Sequence, residues 1–151
     1  MDVRRSINRM GKIALVTGST RGIGKSIAEM LLKENYEVYL HYCMNEEIAL
    51  ETYRDFKKMD YKVNLLSGDI SNESDIKEMF QTVEKQSGSL TVLVNNAASG
   101  VHKKIEDVRK KDWDYTFSVN ARGTFLCSKY ARPLMQKSEY QYRSIVNIIS
   151  T

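Results

Sequence analysis

The sequence feature that most constrains this chain is the run from Lys12 to Gly24, which reads KIALVTGSTRGIG. It opens with an unbroken apolar stretch, Ile13 to Val16, a pattern typical of a strand buried on both faces. Three glycines follow at 18, 22 and 24, and a helical pattern of apolar residues comes after them. A strand that enters a glycine-rich turn and then a helix is the context in which such glycines bind phosphate.

Each glycine has a separate expected role in that turn. Gly18 would let the chain turn sharply, Gly22 would let a diphosphate approach the backbone, and Gly24 would let the helix pack close to the strand. The unpaired N–H groups at the helix start, with the positive end of the helix dipole, would then hold the phosphates. A tight strand–helix turn without a ligand is the alternative. The predicted phosphate-binding residues are Gly18, Ser19, Thr20, Arg21, Gly22, Ile23 and Gly24.

The composition is that of an ordinary globular domain. The chain has 151 residues, 42% hydrophobic and 28% charged, which suits one domain with a sizeable core. Its net charge of +4 comes from Lys and Arg scattered among acids, which argues against nucleic-acid binding. No apolar run approaches a membrane span, and residues 1–10 do not resemble a secretory signal. Two isolated cysteines, Cys43 and Cys127, indicate buried thiols in a reducing compartment, so we expect a cytoplasmic protein.

Strand and helix patterns alternate along the chain, after a polar extension at 1–10. This alternation predicts an α/β fold with a doubly wound parallel sheet over 11–151, because right-handed crossovers place helices on both faces. In such a sheet the ligand lies beyond the carboxyl ends of the strands, where the strand order reverses. We predict strands at 13–16, 36–42, 61–66, 90–94 and 144–151, and helices after the glycine turn and at 45–59, 72–88 and 112–137.

The last predicted helix has further expected features. Asp112 is a good N-cap for it, as Asn45 is for the helix at 45–59. Trp113, Phe117, Cys127 and other apolar residues lie near one helix face, and Pro133 should kink the helix or end its regular part.

The glycine spacing is T-G-x-x-x-G-I-G, which differs from the common G-x-G-x-x-G fingerprint. It resembles the cofactor loop of the short-chain dehydrogenase/reductase family, whose fold is of the Rossmann type, and the resemblance continues from Gly11 onward. The run Asn95 to Gly100, N-N-A-A-S-G, resembles the family's N-N-A-G segment, which implies that Asn96 and Ala97 lie beside the cofactor. This variant is more similar to bacterial enoyl-acyl-carrier-protein reductases of the short-chain type than to 3-oxoacyl reductases.

The residues after the second strand bear on which nicotinamide cofactor is bound. A cofactor with a free ribose 2′-hydroxyl usually meets an Asp or Glu there, and this chain has none before Glu46. Arg21 lies in the glycine turn, where a guanidinium can pair with a 2′-phosphate, so NADPH is favoured over NADH. NADPH-preferring relatives often carry a second basic residue where this chain has Met44. A surface ion pair is the alternative role for Arg21.

Other residues acquire roles through the resemblance. Asp69 and Ile70 would meet the adenine ring, and a helix-preceding Asp cap is the alternative for Asp69. His41 and His102 have no partner at metal-ligand spacing, so we interpret both as surface or loop histidines and predict no metal site.

Two candidate catalytic residues follow from the family pattern. Asn120 would hold a water in a proton relay, although by itself it reads as a buried core amide with satisfied hydrogen bonds. Ser150 matches the family serine that hydrogen-bonds the substrate carbonyl. The family's Tyr and Lys belong to a helix after the fifth strand, and Thr151 precedes that helix. We therefore expect the N-terminal five-strand portion of a larger domain, with an open apolar edge at its last strand and little turnover alone.

The resemblance implies an NADPH-dependent oxidoreductase that reduces an enoyl thioester on an acyl-carrier protein in fatty acid synthesis. A 3-oxoacyl-acyl-carrier-protein reductase or another carbonyl reductase is the alternative. A non-catalytic NADPH-binding module is an alternative of another class, favoured by the missing Tyr and Lys. The full-length form is expected to be a homo-oligomer, and neither a nucleic acid nor a membrane is an expected partner.

Overall fold

The fold is an open parallel sheet covered by helices. The structure is a computed structural model and describes residues 11–149. Its strands are β1 (Lys12–Val16), β2 (Tyr36–Tyr42), β3 (Val63–Ser67), β4 (Val92–Asn95) and β5 (Ser144–Asn147). They lie in the order β3-β2-β1-β4-β5, and every neighbouring pair is parallel. The predicted α/β fold with a doubly wound parallel sheet is thus confirmed. The predicted extension at 1–10 and the residues at 150–151 lie outside the described residues.

Helices connect the strands and cover the sheet. The α-helices of the described residues are α1 (Gly22–Lys33), α2 (Glu46–Lys58), α3 (Glu73–Ser87), α4 (Lys110–Phe117) and α5 (Thr124–Gln136). A 3-10 turn, Ile105–Asp107, precedes α4, and a π-helical segment, Ser118–Gly123, joins α4 to α5. None of the helices within 11–149 is both long enough and apolar enough to cross a membrane.

The first strand shows why the sheet is covered on both faces. Ile13 and Leu15 belong to a core with apolar residues of α3 and α5, whereas Ala14 and Val16 belong to a second core with α1 and α2. All four side chains are at most 3% exposed. Successive side chains of a strand point to opposite faces, so a central strand with helices on both sides needs an unbroken apolar run.

The last strand is the exposed edge of the sheet. Among residues 11–149, β4 is the only strand that pairs with β5, and Ile145 and Val146 of β5 are 41% and 42% exposed. Within the described residues β5 is thus an edge strand with exposed apolar side chains, and such a strand presents unpaired backbone groups.

The long helix differs in detail from the prediction. It begins at Lys110, with Arg109 and not Asp112 as its N-cap; Asp112 is the third helical residue and accepts the N–H of Arg109 at 3.0 Å. Trp113 and Phe117 are 60% and 51% exposed and stack on each other, whereas Cys127 is buried. A π segment takes more residues per turn than an α-helix, which shifts the α4 face out of phase with α5. The helix also continues past Pro133 to Gln136.

Two smaller predictions need correction. Asn45 does occupy the N-cap position of α2, but its backbone is left-handed and its side chain makes no capping hydrogen bond. The prediction of buried thiols is right for Cys127, whose pKa burial raises to about 12. It is wrong for Cys43, which is exposed because it lies in the bend after β2 and not within the strand.

Candidate functional site

A cavity of about 480 Å3 opens at the carboxyl ends of the strands. β1 lies between β2 and β4, so the chain moves to one side of β1 for two strands and then returns to its other side. The strand order therefore reverses between β1 and β4, which is where doubly wound sheets bind their ligands. The cavity is lined by the loop after β1 with the start of α1, by the end of β2, and by the loops after β3 and β4.

The glycine turn combines two tightly packed glycines with one open glycine, and a Cβ at Gly18 would lie 2.9 Å from Cα of Ala97. Gly18 and Gly22 have φ angles of +62° and +55°, in the region that favours glycine. A Cβ at Gly24 would collide with the carbonyl oxygen of Gly18 and would lie 2.5 Å from Nδ2 of Asn96. A Cβ at Gly22 would meet nothing within 4 Å. The turn thus packs α1 against the end of β1 and leaves the backbone at Gly22 approachable from the cavity.

The start of α1 is suited to an anion. Its N-cap, Arg21, has an extended backbone and no side-chain capping bond, and its first turn contains no acidic residue. The first N–H groups of a helix have no partner within the helix, and the positive end of the dipole lies there. An anion in the cavity would meet these groups without competition from a carboxylate of the same turn.

The loop after β4 is hydrogen-bonded to the glycine turn. The Asn96 side-chain amide donates to the carbonyl oxygens of Thr17 and Gly18 at 3.0 and 2.9 Å. The Thr17 hydroxyl accepts the N–H groups of Asn96 and Ala97, both at 3.0 Å. Six polar groups from two strand ends are therefore mutually satisfied, and this fixes the cavity wall where the strand order reverses.

Arg21 has an exposed side chain at the cavity. Within the described residues its guanidinium forms neither a hydrogen bond nor an ion pair, although seven ion pairs occur elsewhere among these residues. The surface ion pair considered as its alternative role is thus not present in residues 11–149. Met44 lines the same cavity and is 71% exposed. It occupies the position at which NADPH-preferring relatives often carry a second basic residue. Among the described residues that line the cavity, Arg21 is the only Lys or Arg.

Asp69 closes the turn after β3 and lines the cavity. Its Oδ1 accepts the N–H of Ser71 at 2.8 Å, and its own N–H donates to Oδ2 of Asp75 at 2.9 Å. The alternative of a helix cap does not apply, because Asn72 caps α3 by accepting the N–H of Ser74 at 3.0 Å. The second carboxylate oxygen of Asp69 makes no hydrogen bond within the described residues, which leaves an acceptor for an exocyclic amine.

His41 contradicts the prediction of a surface or loop histidine. It is 1% exposed in β2, an internal strand of the sheet, and its ring lies between two loops of the cavity. Nδ1 lies 3.0 Å from the N–H of Gly18, and Nε2 lies 2.9 Å from the carbonyl oxygen of Gly68. Burial lowers the pKa of the imidazole, which favours the neutral ring. His102 is exposed in the loop after β4, as predicted.

Asn120 lies in the π-helical segment and is exposed, so its interpretation as a buried core amide is wrong. Its Oδ1 accepts the N–H of Ser99, and its Nδ2 donates to the carbonyl oxygen of the same residue, both at 2.8 Å. Asn120 thus holds the loop after β4 at Ser99, whereas Thr17 holds it at Asn96 and Ala97. The other candidate catalytic residue, Ser150, falls outside the described residues.

The structure brings together the predicted cofactor residues with one exception. All of them line the cavity except Ser19, which is fully buried. The Ser19 hydroxyl donates to Val16 O at 2.7 Å and accepts the N–H of His41 at 2.9 Å, so its role is internal. His41 and Tyr115 also line the cavity, although neither was among the predicted cofactor residues. The apolar run on both sides of His41 was a usable signal of burial, whereas nothing local marks Tyr115, which α4 brings across the loops.

A family model described as "short chain dehydrogenase" matches residues 12–151. Two curated relatives illustrate the likeness. The 3-oxoacyl-acyl-carrier-protein reductase FabG of Staphylococcus aureus is 33% identical over 142 residues, 94% of this chain and 57% of the relative. Glucose 1-dehydrogenase 2 of Bacillus subtilis is 36% identical over 141 residues, 93% of this chain and 54% of the relative. The chain thus spans just over half the length of these relatives.

Solved structures show the same fold. A blue fluorescent protein from a metagenomic library, crystallised in complex with NADPH, superposes with a TM-score of 0.83 at 25% identity. The match covers 93% of this chain and 56% of that one. A short-chain dehydrogenase/reductase variant from Serratia marcescens gives a TM-score of 0.85 at 27% identity, over 94% of this chain and 56% of that one. The structure with bound NADPH and the family match support the prediction of an NAD(P)H cofactor.

Proposed function

The chain belongs to the short-chain dehydrogenase family, and we propose that it binds NADPH in the cavity at the carboxyl ends of β1 to β4. We propose further that it functions in the reduction of a carbonyl group. The observation that carries this proposal is the reversal of strand order at a glycine turn whose helix start is open to an anion. The diphosphate would lie over Gly22 and accept hydrogen bonds from the backbone N–H groups in the first turn of α1. The bound cofactor would supply the hydride of the reaction.

In this proposal the ribose 2′-phosphate and the adenine ring of the cofactor contact different residues. Arg21, which has no partner within the described residues, would pair with the ribose 2′-phosphate and so favour NADPH over NADH. The carboxylate oxygen of Asp69 that makes no hydrogen bond within the described residues would accept one from the exocyclic amine of adenine, beside the buried Ile70. Asn96 and Ala97 would hold the backbone of the opposite wall close to the nicotinamide ribose.

For the substrate we propose the alternative given by the sequence, a 3-oxoacyl reductase, and not the enoyl reductase that the sequence favoured. The N-N-A-A-S-G segment favoured an enoyl reductase, whereas the curated relatives described above include a 3-oxoacyl-acyl-carrier-protein reductase. We therefore propose a 3-oxo compound, such as a 3-oxoacyl thioester, as the substrate class. Asn120 would orient the loop after β4 at the reacting end, and Ser150 would donate a hydrogen bond to the substrate carbonyl oxygen.

Cofactor binding is tested by titrating this chain with NADPH and NADH and following cofactor fluorescence. Gly22→Asp places a carboxylate where the diphosphate would lie, and we expect it to weaken NADPH binding about tenfold or more. Gly22→Asn is the matched control, because Asn has nearly the same shape and also tolerates a positive φ. Equal affinities for the two variants would contradict a diphosphate at this position.

The choice of cofactor is tested at Arg21. Arg21→Gln removes the cation, and loss of a charge-assisted hydrogen bond should weaken NADPH about tenfold or more while leaving NADH almost unchanged. Lys25→Gln removes the same charge from α1 at a residue that does not line the cavity, and it should preserve the preference. A variant at Arg21 that keeps the full preference would show that another group reads the 2′-phosphate.

Activity is tested on the native protein that contains these residues. NADPH oxidation with an acetoacetyl thioester is expected, and a crotonyl thioester should be a poor substrate. Turnover of the crotonyl thioester alone would restore the enoyl reductase interpretation. NADPH binding with no turnover of either thioester would favour the non-catalytic binding module.

A further inference from the structure

His41 connects the two loops that would hold the ends of the cofactor. Its ring spans from the N–H of Gly18, in the glycine turn, to the carbonyl oxygen of Gly68, directly before Asp69. Its backbone adds two more bonds to the glycine turn, since its N–H donates to the Ser19 hydroxyl and its carbonyl oxygen accepts the N–H of Ser19. These four hydrogen bonds lie between 2.9 and 3.0 Å in length.

The two backbone partners of the ring determine its protonation. The N–H of Gly18 is a donor, so Nδ1 must be the unprotonated acceptor. The carbonyl oxygen of Gly68 is an acceptor, so Nε2 must carry the proton and donate it. Only the neutral ring in this one tautomer satisfies both partners, because a protonated ring would direct an Nδ1–H at the N–H of Gly18.

We propose that His41 is a positioning residue whose neutral ring fixes the spacing between the phosphate-binding turn at Gly18 and the adenine-side loop at Gly68 to Ile70. This inference rests on the proposed NADPH site. Binding of a cofactor that contacts both loops costs less conformational entropy when the separation of the loops is already fixed. Protonation of His41 removes the acceptor of Gly18 and loosens one of the two loops, so NADPH affinity falls when the ring becomes charged.

The surroundings of His41 keep it neutral near pH 7. The ring is buried, which lowers its pKa, and the Gly68 carbonyl and the Asp69 carboxylate oppose that shift more weakly. Asp69, in the loop after β3, is the charged group that acts on the ring among the described residues. The glycine turn offers the ring the backbone N–H of Gly18, and the Ser19 hydroxyl accepts the backbone N–H of His41.

Two substitutions separate the two ends of the ring. His41→Asn can place Oδ1 near the position of Nδ1 and so keep an acceptor for Gly18, but it cannot reach Gly68 O. His41→Gln can place its Nε2 near the ring Nε2 and so keep the donor to Gly68 O, but it leaves the N–H of Gly18 without an acceptor. The Gly18 amide should therefore exchange with solvent about fivefold faster in His41→Gln than in His41→Asn, measured without any ligand.

The cofactor readout is the dissociation constant of NADPH from about pH 8 to about pH 5. The ratio of the wild-type constant to that of His41→Asn removes the titration of the cofactor itself. We expect this ratio to rise about tenfold toward acid pH, since only the wild type loses its acceptor on protonation. A flat ratio would overturn the link between His41 and the cofactor.

Two outcomes keep this inference separate from the proposed function. If the wild type does not bind NADPH, the proposed function fails, while Gly18 amide exchange still decides the role of His41 in the turn. The nitrogen chemical shifts of His41 in the wild type give the tautomer without any substitution, and a proton on Nδ1 near pH 7 would overturn the proposal even if a variant failed to fold.

Discussion

The packing of Gly24 gives the most direct test of how the glycine turn is built. In Gly24→Ala the new Cβ would overlap the carbonyl oxygen of Gly18 and lie 2.5 Å from Asn96 Nδ2 and 2.9 Å from Ser19 Cα. Two of these three neighbours are backbone atoms, so the clash cannot be relieved by rotating a side chain. The turn itself must move away from the start of α1.

The cost can be estimated from the contacts that would be lost. Overpacking of this kind costs about 1–3 kcal/mol. Moving the Asn96 amide endangers its hydrogen bonds to Thr17 O and Gly18 O, worth about 1 kcal/mol each. The free energy of unfolding should therefore fall by about 3–5 kcal/mol, and the Tm of a domain of this size by about 10 °C.

Gly22→Ala is the matched control for this prediction. Its Cβ meets nothing within 4 Å, so its cost is the left-handed backbone alone, about 1–2 kcal/mol. Both variants change the unfolded chain in the same way, so that contribution cancels in the comparison. Urea unfolding followed by far-UV circular dichroism measures both. If Gly24→Ala proves as stable as Gly22→Ala, the close packing of α1 on the turn is refuted.

Three further predictions follow from buried and hydrogen-bonded groups. Cys43 should react with a thiol reagent in the native chain because it is exposed, although partial burial raises the pKa of its thiol. Cys127 should react only after unfolding, because it is buried and its pKa is raised to about 12; the stoichiometry of labelling before and after denaturant checks this. The pKa of His41 is lowered below its ordinary value of 6.5 by folding, so its contribution to stability is present above that pH and is lost as the pH falls below it. Urea midpoints of the wild type and His41→Asn should accordingly converge in acid, and parallel curves would contradict this. Asn96→Asp replaces a donor with a carboxylate facing the carbonyl oxygens of Thr17 and Gly18, and it should destabilise the fold by about 3 kcal/mol in a urea titration, more than Asn96→Ala does.

Local patterns in the sequence predicted most of the framework of the site. The apolar run at Ile13 to Val16, the three glycines and the helical spacing after them place a strand, a turn and a helix without knowledge of the rest of the chain. β2 was predicted with its observed bounds, Tyr36–Tyr42. The alternation of elements was enough to predict a parallel sheet, because few topologies connect parallel strands through single helices.

Several features of the site depend on partners far away in the chain. Gly18 and Gly68 lie 23 and 27 residues from His41, and both offer it backbone atoms, which have no signature in a sequence. The same holds for Asn120, whose partner Ser99 is 21 residues away and also contributes only backbone groups. Burial of a polar side chain in an internal strand is decided by which helices cover it.

The linear order of residues was sufficient for the glycine turn, the α/β architecture and the position of the ligand cavity, because short-range periodicity and backbone freedom are local properties. The tertiary fold decided that His41 is buried, that Ser19 faces inward, that Arg21 has no partner within residues 11–149 and that Trp113 is exposed. A parallel sheet brings the ends of distant strands side by side, so hydrogen-bond partners and solvent exposure there are set by packing between segments and not by the residues next in the chain.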